Sequence, residues 1–549
     1  MEKLKPKLFS VLKTYSKEQF VKDVIAGIIV AIIALPLSIA LALASGVTPE
    51  KGIYTAIIAG FIISFLGGSR VQIAGPTAAF ATIVAGIVAK NGMDGLIVAT
   101  VLAGIFLILM GVFRLGNLIK FIPYTITTGF TSGIAVTILV GQIKDFLGLT
   151  VVSEEPLIET MEKLTAVFEF IHTINWWAVL VGVVCMVILI GWPFLPGFFK
   201  KIPPSLIAVL VSIGMVSLCN LPVNTIGDLY VISSDLPSFS MPNVNMDLIK
   251  TVLPDAFTIA ILAAIESLLS CVVADSMVNS RHRSNMELIA QGAGNIASVL
   301  FGGIPATGAI ARTAANVKNG GRTPIAGMVH ALTLLLILVV LMPYAALIPM
   351  PAIAAILFMV AYNMSEWKHF VKLCKTAPKS DILVLVTTFV LTIVFDLVVA
   401  IAVGLLLAIV LFMKRMSDVT QVEGWKYVDD DEDPDRLALK KVPEHTVVYE
   451  VNGPLFFGAA DKILSIVVNK DTNALILRMR SVGAIDATAM NNLQTLLKQC
   501  KEKNVQLILS HVNEQPMSIM KKSGFFDMVG QDNFCPHIDD ALERAKRLQ

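Results

Sequence analysis

Apolar stretches of spanning or near-spanning length recur near residues 23–45, 52–67, 94–113, 125–147, 174–195, 203–221, 252–277, 285–301, 324–342, 345–363, 382–396 and 398–413. A bilayer crossing takes about 20 apolar residues, so each stretch predicts a membrane helix. The run from Ile382 to Met413 is too long for one span and is interrupted by Asp396, so it predicts two closely joined helices. Two further apolar segments are too short to cross. One is Gly75-Pro76-Thr77 leading into AAFATIVAGIVA, and the other is Ala306-Thr307-Gly308 leading into AIARTAANVK. Each follows a Gly-Gly pair, Gly67-Gly68 and Gly302-Gly303, and together they complete a set of about fourteen segments.

After Arg415 the pattern changes. VDDDEDPD (428–435) predicts a solvated acidic loop. Beyond it, the apolar runs TVVYEVNG, ALILRMRS and VQLILSHV alternate with the helical patterns AADKILSIVVN, ATAMNNLQTLLKQCKEKN, QPMSIMKKSGF and IDDALERAKRLQ. Strand and helix in alternation predict a small α/β domain. The expected organisation is an amphipathic cytoplasmic N-terminus (1–22), a helical transmembrane domain (23–415), an acidic linker (416–445) and the α/β domain (446–549).

Composition agrees with this division. Of 549 residues, 55% are hydrophobic and 15% charged, and the mean hydropathy is +0.76. Soluble globular chains rarely combine such values, so the protein is read as a polytopic membrane protein. A net charge of +2 with no separate basic tail argues against a nucleic-acid partner. Cys185, Cys219, Cys271, Cys374, Cys500 and Cys535 are scattered without metal-ligand spacing and read as free thiols or core fillers. The chain has no Walker A sequence, no Ser-His-Asp arrangement and no zinc-site spacing, so no enzyme, cofactor or metal is expected. His330 and His369 are isolated and read as packing or interfacial residues.

Charge also sets orientation. Lys3 to Lys22, Arg70, Arg114 with Lys120, Lys200-Lys201, Arg281 with Arg283, Lys318 with Arg322, Lys368 to Lys379, and Lys414-Arg415 alternate with polar or acidic loops. The positive-inside rule then places both termini in the cytoplasm, and the loops at 151–164 and 220–250 outside. The basic N-terminal segment is expected along the cytoplasmic membrane surface. Under this topology the short segments run in opposite directions, and their helices begin near mid-membrane. Broken segments in corresponding halves mark a transporter's binding site, and a helix N-terminus there offers N–H groups and a positive dipole end to an anion.

Three residues stand out for chemistry. Glu266 lies near the middle of ILAAIESLLSCVVAD, where a carboxylate costs about 2.5–3.5 kcal/mol on insertion scales and therefore faces a cavity or a partner. It reads either as a structural acid or as a coupling site that loads and releases a proton, with Ser270 one turn further on. Arg312 lies roughly a turn into the second short helix and reads as a counter-ion for Glu266, as part of an anion site, or as both. Gly308, Ala309, Ile310 and Ala311 before it are expected to leave their N–H groups open to an anion. Thr77 and Ala78 begin the first short helix, with Pro76 expected at its first position, and Thr77 either caps the helix or donates to substrate.

The segments PLSIALALASGVTPEKGIYTAIIAGFIISFLGGS, QIAGPTAAF, IPYTITTGFTSGIAV, ESLLSCVVAD and GGIPATGAIARTAANVKNGGRTPIAG, in this order, resemble the SulP family of anion transporters, bacterial relatives of solute carrier family 26. The C-terminal domain resembles the STAS domain that follows the family's last membrane helix. Within the family, the chain looks closest to bacterial C4-dicarboxylate transporters. The resemblance implies an α-helical membrane domain of seven plus seven inverted repeats with two half-helices. It also implies core and gate parts, alternating access, a homodimer and a cytoplasmic partner for the STAS-like domain. It places Leu37, Ser38 and Leu41 in the pocket wall and Arg312 in the anion pocket, and it implies proton rather than sodium coupling from Glu266, where sodium-using relatives carry Asp. Ile485-Asp486-Ala487-Thr488 matches a loop that carries a phosphorylatable residue in related domains, so Thr488 is a candidate regulatory site or, with Asp486, a helix cap.

The expected function is a secondary active anion transporter of the inner (plasma) membrane, an anion:proton symporter for sulfate or C4-dicarboxylates, with bicarbonate behind them. The alternative is an anion channel or voltage-responsive membrane protein without coupled transport.

Overall fold

The computed structural model describes residues 4–116, 123–152, 157, 159–196, 202–395, 397–424, 442–466 and 471–548. The acidic run at 428–435, Lys3, Lys120, Lys200, Lys201 and Asp396 lie outside the described residues. The chain divides into two compact units, Met1–Leu405 and Leu406–Gln549.

The first unit contains α1 (Leu8–Val11), α2 (Lys17–Ala44), α3 (Pro49–Leu66), β1 (Ala74–Gly75), α4 (Ala78–Val112), α5 (Tyr124–Leu147), α6 (Thr160–Glu169), α7 (Trp176–Gly191), α8 (Pro204–Cys219) and α9 (Ile226–Leu229). It continues with α10 (Met246–Val278), α11 (Ser284–Leu300), β2 (Thr307–Gly308), α12 (Ile310–Lys318), α13 (Pro324–Ala345), α14 (Met350–Ser365), α15 (Trp367–Thr376), α16 (Lys379–Val394) and the start of α17 (Leu397–Val419). Helix α4 is broken at Gly92, whose φ of 64° and ψ of −169° leave the helical region. Glycine takes that conformation without a Cβ penalty. The break makes a half-helix of residues 78–91 and a following span, so α2 to α8 supply seven membrane segments and α10 to α17 supply seven more, with α6, α9 and α15 lying between segments. Among the described residues, eight helices are long and apolar enough to cross a bilayer.

The N-terminus is held more tightly than a surface helix. The Lys7 N–H donates to the Gly67 carbonyl at 2.9 Å, Lys7 Nζ to the Arg281 carbonyl at 2.6 Å, and Arg283 to the Lys5 carbonyl and to Ser10 Oγ. Helix α2 begins at Lys17, six residues before the apolar run, because Ser16 caps it by accepting from the Gln19 N–H. Asp23 is buried and accepts from Tyr15 Oη, Gln19 Nε2, the Arg322 N–H and Thr323 Oγ1, tying α2 to the start of α13.

The second unit carries a five-stranded sheet in the order β3 (Gln421–Gly424), β4 (Thr446–Asn452), β5 (Ala474–Ser481), β6 (Gln506–Ser510), β7 (Phe534–Cys535). Only the β3–β4 pair is antiparallel. Its helices are α18 (Phe457–Leu464), α19 (Ala487–Glu502), α20 (Glu514–Lys522), α21 (Phe525–Val529) and α22 (Ile538–Lys546). Because strand side chains alternate in direction, Leu475 and Leu477 face the core under α18 and α19, while Ala474 and Ile476 face α22. The three apolar strands were legible in the pattern. β3 and β7 were not, since two to four residues carry no usable period.

Candidate anion site

The two short segments meet. β1 and β2 pair antiparallel, with Ala74 opposite Gly308 and Gly75 opposite Thr307, and the Ala309 N–H donates to the Ile73 carbonyl at 2.9 Å. Each strand feeds a helix, so α4 and α12 leave the crossing in opposite directions with their N-termini adjacent. Neither helix has a side-chain cap on its first N–H groups. Those of Ala78, Ala79, Ile310, Ala311 and Arg312 are therefore left to a ligand or to water.

Extended backbone at membrane depth must find its partners inside the protein. Helix α11 supplies most of them from one polar stripe. Glu287 Oε2 accepts the N–H groups of Gly68 and Ser69 at 2.8 and 3.1 Å, and Gln291 Nε2 donates to Glu287 Oε1. Asn295 both donates to the carbonyl of Ala306 and accepts its N–H, each at 2.8 Å. Ser298 donates to the Ile304 carbonyl, whose own N–H donates to Thr55 of α3. From α10, Ser267 Oγ accepts the Gly308 N–H and lies 2.6 Å from Thr307 Oγ1.

Two charged residues reach this crossing by separate routes. Thr77 Oγ1 donates to Glu266 Oε2 at 3.0 Å, placing the half-buried carboxylate at the start of α4. Arg312 is 1% exposed, and its Nη2 donates to Ser38 Oγ at 3.3 Å and to the Pro76 carbonyl at 3.2 Å. Its Nε and Nη1 have no partner among the described residues. Gly75 makes room for it, since a Cβ at that position would lie 2.3 Å from Nη1. No ion pair joins Arg312 to Glu266 or to any other described carboxylate, so the counter-ion reading of Arg312 is set aside. An unpaired buried charge is costly, and the two free nitrogens of a guanidinium so placed can donate to an anion.

Residues 20–388 match the model of the sulfate permease family, and residues 437–541 match the STAS domain. The chain belongs to the sulfate permease family. It is 40% identical to the putative sulfate transporter YvdB of Bacillus subtilis, over 96% of this chain and 98% of that protein. It is 30% identical to the bicarbonate transporter BicA of Picosynechococcus, over 95% and 94%. The solved structure of the murine Solute Carrier 26 family member A9 anion transporter in its inward-facing state shares the fold, with a TM-score of 0.89 at 19% identity over 99% of this chain and 94% of that one. This permease-family chain is thus a multi-pass membrane transporter of the anion class and not an enzyme. The finer likeness to C4-dicarboxylate transporters finds no support, because these relatives are named for sulfate and bicarbonate.

Several expectations change in detail. Pro76 precedes the cap instead of occupying the first helical position, because the helix begins at Ala78 with Thr77 as its N-cap. Thr77 does not cap with its hydroxyl, which goes to Glu266 instead. The N–H groups of Gly308 and Ala309 are already bonded to Ser267 and Ile73, so only those from Ile310 onward remain open. Arg312 is the third residue of α12, within its first turn. Ser270 is brought to the crossing, but its hydroxyl lies 3.5 Å from Thr313 Oγ1 and not on Glu266. Leu37 is half-buried, Leu41 and Ala78 are buried, Ala309 is half-buried and Ala311 is exposed. In the second unit Asp486 caps α19 by accepting from the Ala489 N–H, while Thr488 stands exposed in the first turn. The supporting polar groups Glu287, Gln291, Asn295 and Ser298 escaped the reading. Their three- and four-residue spacing on one face of an otherwise apolar segment is the signal that would have found them.

Proposed function

We propose that this chain is a secondary active anion:proton symporter, with the anion held between the N-termini of α4 and α12, Arg312 supplying its counter-charge and Glu266 carrying the proton. One observation carries the reading: Arg312 is buried, with two guanidinium nitrogens unpartnered and no carboxylate paired to it. Sulfate is the leading substrate and bicarbonate the next, in keeping with the names of the relatives.

The coupling follows from placement. An ionised Glu266 at the start of α4 presents negative charge to the N–H groups that an arriving anion would use. Protonation removes that charge, so anion and proton each favour the other's binding, a reciprocity that linkage requires. Movement of the crossing between two positions in the membrane then exposes the loaded site to one side or the other, with both termini in the cytoplasm by the positive-inside rule.

Purified protein in liposomes should take up labelled sulfate or bicarbonate faster under an inward proton gradient, and Glu266→Gln should lose that response. Uptake that ignores the gradient in the wild type removes the coupling. Unitary currents without saturable uptake would support the channel alternative.

A further inference from the structure

A cavity of about 630 Å³ lies beside the first half-helix, on the side reached by α5 and α6. One wall is Ala81, Thr82, Ala85, Val88 and Ala89, successive turns of α4 that begin one turn after Thr77. The opposite wall is the last turns of α5, with Gln142, Lys144 and Asp145, and the face of α6 that carries Lys163. A second cavity of about 200 Å³ shares Lys144 and Asp145.

The polar groups here are uneven in sign. Among the described residues, Lys144 and Lys163 have no ion pair, and Asp145 is the one carboxylate on the wall. Lys163 is half-buried, and that burial draws its ammonium below the ordinary lysine range. An ammonium that gives up water with only the neighbouring Glu162 charge to offset the loss, and no ion pair, can receive an anion, and low-dielectric walls of net positive charge concentrate anions in the space they enclose. Along the opposite wall the side chains at 81, 85 and 89 are single methyl groups, so an ion a few ångströms wide meets no bulky obstacle on that face.

We propose that this cavity is a capture site for small oxyanions, where Lys163 and Lys144 replace part of the ion's hydration before it passes along the Ala81–Ala85–Ala89 face to the crossing at Thr77. The proposal rests on the carrier reading and adds to it a second, peripheral binding step.

Sulfate uptake at low ionic strength by Lys163→Gln and Lys144→Gln tests it. Each exchange should raise KM, by about fivefold at most for a partly exposed charge, with the effect on KM rather than maximal rate, and should flatten the salt dependence of kcat/KM. Lys163→Arg should restore both. Independently, Ala85→Cys in a Cys219→Ser, Cys374→Ser background should be blocked by a negatively charged thiol reagent, with sulfate slowing the block. Wild-type uptake with unchanged KM and salt dependence in both lysine variants overturns the capture site and leaves the carrier intact. Absence of wild-type uptake for both sulfate and bicarbonate overturns both.

Discussion

The first repeat brings Ser38 and Thr77 to the crossing, and the second brings Glu266 and Arg312. Both charges therefore come from one half of the chain and the hydroxyls bonded to them from the other, so each of these hydroxyls holds the charge of the opposite repeat. Backbone support is divided as unevenly. Helices α11 and α12 of the second repeat support both lead-ins, α11 through Glu287, Asn295 and Ser298 and α12 through Thr313, which accepts the Ile73 N–H, and Asn316, which donates to the Val71 carbonyl, while α3 of the first repeat contributes the single bond from the Ile304 N–H to Thr55. Inverted repeats give two helix N-termini that face one another, and sequence divergence between them then makes one half the chemical half. A site built only from the symmetric parts would hold an anion by backbone alone. In the proposed symporter, Arg312 and Glu266 turn it into one that can weigh charge.

The largest effect should come from removing the charge on which the comparison turns. Arg312→Gln should lower kcat/KM for sulfate by about 100-fold, the scale of a charge-assisted hydrogen bond worth about 3 kcal/mol. Arg312→Lys should recover only part, since an ammonium can replace the Nη2 bonds to Ser38 and Pro76 but not the planar Nε and Nη1 donors that Arg312 leaves free. Gly75→Ala, which puts a Cβ 2.3 Å from Nη1, should mimic the loss by displacing the guanidinium. Its counterpart Gly308→Ala meets the Gln72 side chain instead, and should displace that amide without touching the charge. Uptake by Arg312→Gln at the wild-type rate would remove the distinction between the two repeats.

Support for the lead-ins should show next, in stability before rate. Asn295→Ala strips both bonds from Ala306, leaving buried backbone groups unpaired at a cost of about 1–3 kcal/mol each. Its melting temperature in detergent should fall clearly, and sulfate should restore less of it than in the wild type. Thr55→Val, which removes one bond, should cost about half as much. Equal losses would mean that both repeats support the crossing alike.

How much of this could be read along the chain differs between the same parts. The helices, the break between residues 75 and 78 and its counterpart near 308 follow from hydropathy and glycine spacing, because a bilayer leaves few ways to place such segments. Glu266 and Arg312 were visible for the same reason: each is a charge where charge is expensive. Their partners were not, because Thr77 and Ser38 are ordinary small polar residues whose roles depend on which repeat lies across from them. The expectation that Arg312 pairs with Glu266 failed on this point. Of the readings open for Arg312, counter-ion, part of an anion site, or both, the structure shows no pairing with Glu266, because the contacts across repeats give each charge its own hydroxyl. The N–H groups of Gly308 and Ala309 were misread for a related reason, since strand pairing and Ser267 consume them before any ligand arrives.

The smallest expected effects separate the two hydroxyls. Thr77→Val removes the only described hydrogen bond to the Glu266 carboxylate, at 3.0 Å, and should cost about 1 kcal/mol, or roughly fivefold in kcat/KM, with Thr77→Ser restoring it. Ser38→Ala removes a longer bond, at 3.3 Å, from a guanidinium that keeps the Pro76 carbonyl, so its loss should be smaller still. The two bonds share no atom and no residue, so the double variant should equal the sum of the singles within about 0.5 kcal/mol. A coupling above about 1 kcal/mol would mean that the proposed proton and anion sites communicate through the empty crossing itself. Additivity would instead leave the bound anion as the element that links them, as symport through two separately held charges requires.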